Sequence, residues 1–347
     1  MNAASVNSKF GAFSGDDSTE ACDHMNSGKI GVVTVTYNSA SLLHDFLSSL
    51  GQQDYTNWHG YIIDNDSKDQ TLAELRSRNL DPLKYSIVAN RDNVGVAAGN
   101  NQGIVMALED GCDWVLLINN DTLFPPQLFG HLVQAAESHA WRAVVPKIHF
   151  KVPTNSIWYG GGGFDPRKGH TGYHTGIDQP DTGQFDLEKT VDYSPTCCML
   201  IHRTVFEAVG LMDESYFAYF DDTDFCWRLK LAGVAIGYAP KYVLIHKVGS
   251  STGGTASPFY ARLTARNRLY FLKKHFGRTA PARWLVVFLP YYVFRYLVKN
   301  WNPVAFRASI EGTLAYRGIV ESTPRLPVKA SHSASSLPLQ VPPPAGR

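Results

Sequence analysis

Asn119, Asn120 and Asp121 are the residues whose types and place in the chain most directly suggest chemistry. They follow the unbroken apolar run Val115-Leu116-Leu117-Ile118, which suits a strand buried on both faces of a parallel sheet. The polar triplet then falls at the strand's C-terminal end, the edge where open α/β sheets bind ligands. A carboxylate there can hold a hard divalent cation, and such a cation usually engages substrate phosphates as well. The plainer reading makes Asp121 an ordinary turn residue. Two further acidic groups recur along the chain, Asp64 with Asp66 and Asp221, Asp222 with Asp224. Adjacent carboxylates on one turn repel, which raises at least one pKa toward the range of a useful base.

The flanking elements bring these groups to one place. Residues 29–36 read as a first buried strand that stops at Tyr37-Asn38-Ser39, with Ser39 or Ser41 capping a helix to Leu50. A second strand at 61–63 ends in Asp64-Asn65-Asp66-Ser67, and a helix follows through Arg76. A third at 85–89 ends in Asn90-Arg91-Asp92-Asn93. A Gly- and Asn-rich turn then opens a helix over 94–109, and the fourth strand covers 114–118. This alternation implies βαβ units, a parallel sheet and an α/β fold, with each polar strand end on one sheet edge.

Further along, the pattern predicts a helix over 125–140 with proline near its first turn, and a strand at 143–145. Residues 151–190 are rich in Gly, Asp, His and Tyr, with four glycines at 160–163, and read as a hairpin- or loop-rich excursion. A strand pair over 191–202 and a short helix at 203–210 follow. After the acidic cluster come a helix at 225–232 closed by Gly233, strands at 234–239 and 242–245 leading to His246, and a long basic, aromatic helix at 258–276.

The chain has 347 residues, 44% apolar and 18% charged, the balance of a globular protein. A net charge of +1 makes no case for a nucleic-acid partner, although residues 262–307 hold ten Lys or Arg and no Asp or Glu. Five cysteines with no Cys-x-x-Cys pair argue against a disulfide framework or structural zinc, and for a reducing, cytoplasmic compartment. Residues 1–28 lack the apolar segment of a signal peptide and, like 323–347, read as a disordered tail. The apolar stretch 284–294 is about half a bilayer span and is interrupted by Pro290. With Trp284, Tyr291, Tyr292, Tyr296 and Trp301 beside a basic flank, it suits peripheral contact with the inner face of the cytoplasmic membrane. The alternative is a helix packed on the rest of the chain or on another subunit of a homo-oligomer.

An enzyme moving a sugar from a nucleotide needs a grip on base and ribose, a cation for the leaving diphosphate, and a base for the acceptor hydroxyl. Three acidic clusters could fill these roles in chain order. Asp64-Asn-Asp-Ser, Asn93-Val-Gly-Val-Ala-Ala-Gly-Asn-Asn-Gln-Gly, Leu117-Ile-Asn-Asn-Asp-Thr and Tyr219-Phe-Asp-Asp-Thr-Asp-Phe-Cys-Trp-Arg resemble glycosyltransferase family 2. The Ala232-Gly233 turn and His246-x-x-Gly-Ser fit the same picture. The likeness covers residues 30–276, is nearest the rhamnosyltransferase-like branch, and implies a GT-A fold over 29–278. Within it, 29–125 would be the nucleotide-sugar half and 126–278 the acceptor half, followed by a helical extension at 279–322.

Residue by residue, the resemblance implies that Thr36, Tyr37 and Asn38 line the nucleotide pocket and that Asp64 hydrogen-bonds the base. Asn93, Gly95, Gly99 and Asn100 would shape the donor turn, with Asn119 and Asn120 beside it. Asp121 would be the metal-binding carboxylate of the family's Asp-x-Asp motif, whose first position here is Asn119. His246 would supply a second ligand, and imidazole suits Mn²⁺ better than Mg²⁺. Asp222, flanked by Asp221, would be the catalytic base of an inverting displacement. The expected partners are a dTDP- or UDP-sugar, with dTDP-L-rhamnose foremost, and a saccharide or lipid-linked acceptor.

Other roles are open to several of these residues. Trp158 and Tyr159 would stack on the acceptor sugar or pack a loop. Asp224 reads as a helix N-terminal residue favoured by the dipole, His202 as structural, and Cys197-Cys198 as core. Gly95, Gly99 and Gly103 miss the dinucleotide spacing. A sugar nucleotidyltransferase should carry a basic, Gly-rich loop after its first strand, where this chain has Thr36-Tyr37-Asn38-Ser39. A non-catalytic nucleotide- or glycan-binding relative would fit Asn119 but not the joint presence of Asp121, Asp222 and His246.

Overall fold

The apolar strand runs and the small-residue face of one helix determine how this chain packs. In the computed structural model, which describes residues 28–247, 257–298, 302–320 and 322, the first half alternates strand and helix. Its elements are β1 (Ile30–Thr36), α1 (Ala40–Gly51), β2 (Trp58–Asp64), α2 (Thr71–Ser77), β3 (Tyr85–Ala89), α3 (Val96–Glu109) and β4 (Trp114–Ile118). Next come β5 (Thr122–Leu123), α4 (Leu128–Ser138), β6 (Ala143–Phe150), β7 (Ile157–Tyr159), β8 (Gly162–Asp165), β9 (Thr171–His174) and β10 (Lys189–Val191). The last are β11 (Cys198–His202), α5 (Arg203–Val209), α6 (Asp221–Leu231), β12 (Ile236–His246), α7 (Pro258–Phe276), α8 (Ala280–Val298) and α9 (Pro303–Ala315).

One sheet carries strands from both halves in the order β10-β12-β6-β11-β4-β1-β2-β3. β1 pairs parallel with β2 and β4, β2 with β3, and β6 with β12, while β11 runs antiparallel between β4 and β6. The C-termini of β1, β2, β3, β4, β6 and β12 therefore open on one edge, and that edge presents Thr36, Asp64, Asn119 and His246. The mostly parallel α/β architecture agrees with the alternation in the sequence.

β4 is buried along its whole length, as its apolar run requires. α3 has little amphipathic contrast and packs through small residues instead. A Cβ on Gly103 would come 2.4 Å from Val33, and one on Gly99 2.9 Å from Val35, so α3 lies against β1 at a distance only glycine allows. The excursion contains β7 and a separate two-stranded hairpin, β8–β9. It is held down by buried Lys147, which pairs with Asp181 at 2.7 Å and with Asp186.

Four expectations are corrected. The strand pair over 191–202 does not form. β10 pairs with β12 and β11 inserts between β4 and β6, so segments close in sequence separate by strand insertion. The two strands before His246 are one, β12, with an irregularity between Ala239 and Val243. α6 starts at Asp221, four residues earlier than 225, because Asp is a poor interior helix former but is favoured in a first turn. α8 continues through Pro290, since an interior proline deletes a backbone hydrogen bond and can bend a helix without ending it.

No helix among the described residues is long and apolar enough to cross a membrane. The tails at 1–27 and 323–347, and Trp301, lie outside the described residues; so do the side chains of Tyr291, Tyr292 and Tyr296.

Candidate active site

The donor-side residues are built from the ends of β1 and β2. Asp64 is fully buried, and its Oδ1 accepts hydrogen bonds from Thr36 Oγ1 at 2.9 Å and Ser67 Oγ at 2.6 Å. Its Oδ2 accepts from the Ser67 backbone N–H at 3.0 Å. Thr36 is equally buried and orients Asp64 through this hydrogen bond. Tyr37 is exposed beside it, and Asn38 joins the two strand ends, its backbone N–H reaching Ser67 Oγ and its Oδ1 accepting from the Lys68 N–H.

Four other members of the expected donor turn divide between shaping it and packing. Asn93 Oδ1 accepts from the Gly95 N–H at 3.0 Å, and Gly95 has φ 88°, a conformation that favours glycine. Asn100 and Gly99 face inward, Asn100 Nδ2 toward Met212 Sδ at 3.6 Å and Gly99 toward Val35. Their role is to seat α3 under the turn. Asn120 is likewise turned in, donating to the Val35 carbonyl at 2.9 Å and to Ser39 Oγ at 3.0 Å.

Asn119 stays exposed at the sheet edge, and Asp121 behaves differently from both asparagines. Its Oδ1 is buried and has no hydrogen-bond partner among the described residues, yet it lies 3.1 Å from His246 Nε2. That contact is close without being aligned as a hydrogen bond, and His246 Nδ1 also lacks a partner among the described residues. An uncompensated buried carboxylate oxygen is costly. Facing an imidazole nitrogen, it forms an N,O donor pair at a separation one cation would require. Adjacent positions of an octahedron with bonds of ~2.1 Å stand ~3 Å apart. The residues therefore fit a divalent ion, and the N,O donor pair suits Mn²⁺. No cluster of three or more His, Cys, Asp or Glu among the described residues could hold a metal, so further ligands would have to be substrate oxygens or water. Trp158 packs edge-on to His246 at 4.5 Å and to His174 at 4.6 Å.

Tyr159 is corrected outright as an acceptor platform. Its ring is 0% exposed and its hydroxyl donates to the Tyr193 carbonyl at 2.8 Å, so no sugar can reach it.

The third acidic group occupies the first turn of α6, where three carboxylates have three environments. Asp224 is buried and charged, with Arg228, Lys274 and His275 at 2.7–2.9 Å, and these partners hold it well below the usual carboxylate range. The structural reading of Asp224 stands. Asp221 is pushed up to about 8, first by burial and then by the Asp222 charge. Asp222 is also raised by burial, but hydrogen bonds counter the rise. Tyr193 Oη donates to Oδ2 at 2.8 Å, and the Thr223 N–H donates to Oδ1 at 2.6 Å. Burial therefore raises both, Asp221 the more strongly and Asp222 restrained by its hydrogen bonds, the division of labour expected when environments separate a pair.

Tyr193 carried no signal in the sequence, because its partner lies 29 residues away on a helix. Its phenol lowers the Asp222 pKa, so Tyr193→Phe is expected to raise that pKa and move the acidic limb of the kcat/KM profile to higher pH. An unshifted limb would disprove the coupling. His174 is a second residue without a sequence signal. Burial pushes it down to about 4, and its neutral ring stands between Trp158 and Tyr193.

Asp121 and Asp222 act on a shared neighbour. The Cys197 thiol, buried just before β11, is raised by burial, by Cys198, and then by the charges of both Asp121 and Asp222. A relay of ring contacts also runs from His246 through Trp158 and His174 to Tyr193. His202 caps α5 through Thr204 and packs on Trp114, a structural role. Cys197 and Cys198 are core.

A low-salt glycan biosynthesis hexosyltransferase of Haloferax volcanii, Agl10, is 24% identical over 281 residues, 79% of this chain and 83% of that protein. The N-acetylglucosaminyl-diphospho-decaprenol L-rhamnosyltransferase of Mycobacterium tuberculosis is 28% identical over 280 residues, 73% and 87% of the two chains. Among solved structures, GalNAc-T7 with UDP, GalNAc and Mn²⁺ superposes with a TM-score of 0.54 at 15% identity. That likeness covers 72% of this chain and 50% of the other, and it agrees with a GT-A fold. Residues 31–210, more than half of the sequence and the part that carries Asp64, the donor turn and Asp121, match the model described as Glycosyl transferase family 2, and the chain belongs to that family.

Proposed function

We propose that the chain is an inverting, divalent-cation-assisted glycosyltransferase that moves L-rhamnose from dTDP-L-rhamnose to a sugar hydroxyl on a lipid diphosphate. The observation that carries this reading is a buried carboxylate oxygen facing His246, linked through the rings of Trp158, His174 and Tyr193 to a carboxylate pair whose pKa values are raised. The Mycobacterium relative's name supports the choice of sugar and acceptor.

Asp64, fixed by Thr36 and Ser67, would receive the base, with Tyr37 exposed beside it. Asp121 and His246 would hold Mn²⁺, which supplies positive charge to the departing diphosphate. Asp222 Oδ2 would leave its bond with Tyr193 and take the acceptor hydroxyl's proton as that oxygen attacks the anomeric carbon from the face opposite the nucleotide. The bond to the diphosphate breaks as the new glycosidic bond forms, which inverts the centre. Asp221, protonated, would keep a second negative charge away from Asp222. Trp158 is the remaining acceptor-side candidate.

We place the enzyme at the inner membrane surface, with the exposed apolar residues Val286, Val287, Phe294 and Leu314 of α8 and α9 toward lipid. Flotation with anionic vesicles tests that placement, and a chain left wholly in the unbound fraction would refute it.

The central test is a thermal-shift screen of dTDP, UDP, GDP and their sugars with and without Mn²⁺, followed by transfer to a soluble N-acetylglucosaminyl-diphospho-lipid and NMR of the new linkage. A ligand at about 100 times its Kd stabilises by roughly 2.7 kcal/mol, a readily measured shift. A shift specific to dTDP and dependent on Mn²⁺, with an inverted product, is the expected result. No shift with any nucleotide would sink the reading, and donor binding without transfer would favour a non-catalytic relative.

A further inference from the structure

Residues 213–220 lead directly into the carboxylate pair, and three of them are strained. Phe217, Tyr219 and Phe220 have φ of 64°, 64° and 68°, the left-handed region that aromatic residues enter only when their surroundings impose it. α7 imposes it. Asn267 is fully buried, and its single Nδ2 lies 2.9 Å from the Tyr216 carbonyl and 2.8 Å from those of Ala218 and Tyr219. Its neighbour Arg266 adds bonds to the Ser215 carbonyl at 2.9 Å and the Tyr216 carbonyl at 2.8 Å. In a relaxed turn these carbonyls would diverge; here they converge on one amide.

The clamped segment also reaches the donor side. The Phe217 carbonyl accepts from the Val96 N–H at 2.5 Å, at the first residue of α3. A Cβ on Gly95 would stand 2.5 Å from that same oxygen, so the turn closes on the segment without room for a side chain. The segment's other end is Phe220, the residue before Asp221.

We propose that Asn267, assisted by Arg266, is a positioning residue that holds Phe217, Tyr219 and Phe220 at positive φ, so that α6 begins at Asp221 and the donor turn stays in register with the base. The proposal rests on the reading of Asp222 as that base. Asn267 touches no reacting atom and acts through the backbone of residues 216–219. Relaxation of the segment would fray the first turn of α6 and let water reach the pair, while Asp64, Asp121 and His246 stay in place.

The test compares wild type, Asn267→Ala, and Asn267→Ala with Tyr219→Gly. For Asn267→Ala, kcat should fall about tenfold or more while the Kd for nucleoside diphosphate stays within about threefold. Its acidic limb should move to lower pH as the pair becomes hydrated. Adding Tyr219→Gly should restore much of kcat, because glycine adopts positive φ without the steric cost. A role confined to packing gives no such rescue. Wild-type kcat in Asn267→Ala, or a loss of kcat that Tyr219→Gly leaves uncorrected, overturns the proposal. Should Asn267→Ala not fold, half-buried Arg266→Ala takes its place, with the same rescue expected and unchanged kcat overturning it. Amide exchange at Val96 and residues 217–222 is read in parallel and needs no turnover. It should speed up in the variant even if wild type transfers no sugar, which separates failure of the clamp from failure of the assigned reaction. Unchanged exchange overturns the proposal.

Discussion

Asp222→Asn is expected to lower kcat by about 10³-fold, within the range that loss of a positioned general base produces, and to leave nucleotide binding unchanged. The amide keeps the size of the carboxylate, its oxygen can still accept from the Thr223 N–H, and its Nδ2 can donate to Tyr193 Oη, so geometry is preserved and the loss reports proton transfer. The same variant should be more stable than wild type at pH 8. Asp221 and Asp222 both have folded pKa values above their unfolded values, because burial and mutual repulsion penalise ionisation. The stability such carboxyls contribute is fully present below about pH 4, their unfolded range, and is lost as pH rises through their folded values, about 8 for Asp221. Removing one charge should therefore raise Tm at pH 8 and make little difference at pH 4. Asp213 and Asp224 act in the opposite sense, since their ion pairs hold them low. Their contribution is present above about pH 4 and is lost as pH falls through the lowered values. A Tm series from pH 2 to 9 on both proteins checks both senses. Unchanged kcat, or a variant less stable than wild type at pH 8, would count against the assignment of the pair.

Asp121→Asn is expected to abolish Mn²⁺-dependent stabilisation by nucleotide and to lower kcat by about 10²-fold. Without nucleotide or metal the variant should be at least as stable as wild type. A buried polar atom without a partner costs about 1–3 kcal/mol, and the Asn amide can donate to His246 Nε2, which now faces an unpartnered oxygen. Each kcal/mol recovered should appear as roughly 2–4 °C in Tm. His246→Ala should retain some metal response and lose the preference for Mn²⁺ over Mg²⁺, because the nitrogen donor is gone. An Asp121→Asn protein with wild-type metal dependence would place the cation elsewhere.

The sequence and the tertiary structure decide different features of this protein. Strand ends at Thr36, Asp64 and Ile118 were readable because an apolar run that stops at a polar cluster is a local pattern. The likeness to family 2 was readable because the short motifs around Asp64, Asp121 and Asp222 keep their order. What failed was what depends on neighbours far away in the chain. Tyr159 and Trp158 are adjacent in sequence, but the pleat of β7 sends one ring into the core and leaves the other against His246. Asn119 and Asn120 divide in the same way, one exposed and one bonded to β1. The separation of β10 from β11 follows from strand insertion, which no local signal encodes.

The sequence by itself determined the βαβ alternation, the common edge for the polar strand ends and the family, since period, turn residues and motif order are properties of neighbouring residues. Only the tertiary structure decided the electrostatic state of each carboxylate. Asp121 is bare beside His246, Asp222 is poised by Tyr193, and Asp224 is neutralised by Arg228, Lys274 and His275. A carboxylate's pKa and ligand capacity depend on burial and on charges within a few ångströms, and folding draws those from residues between four and more than a hundred positions apart.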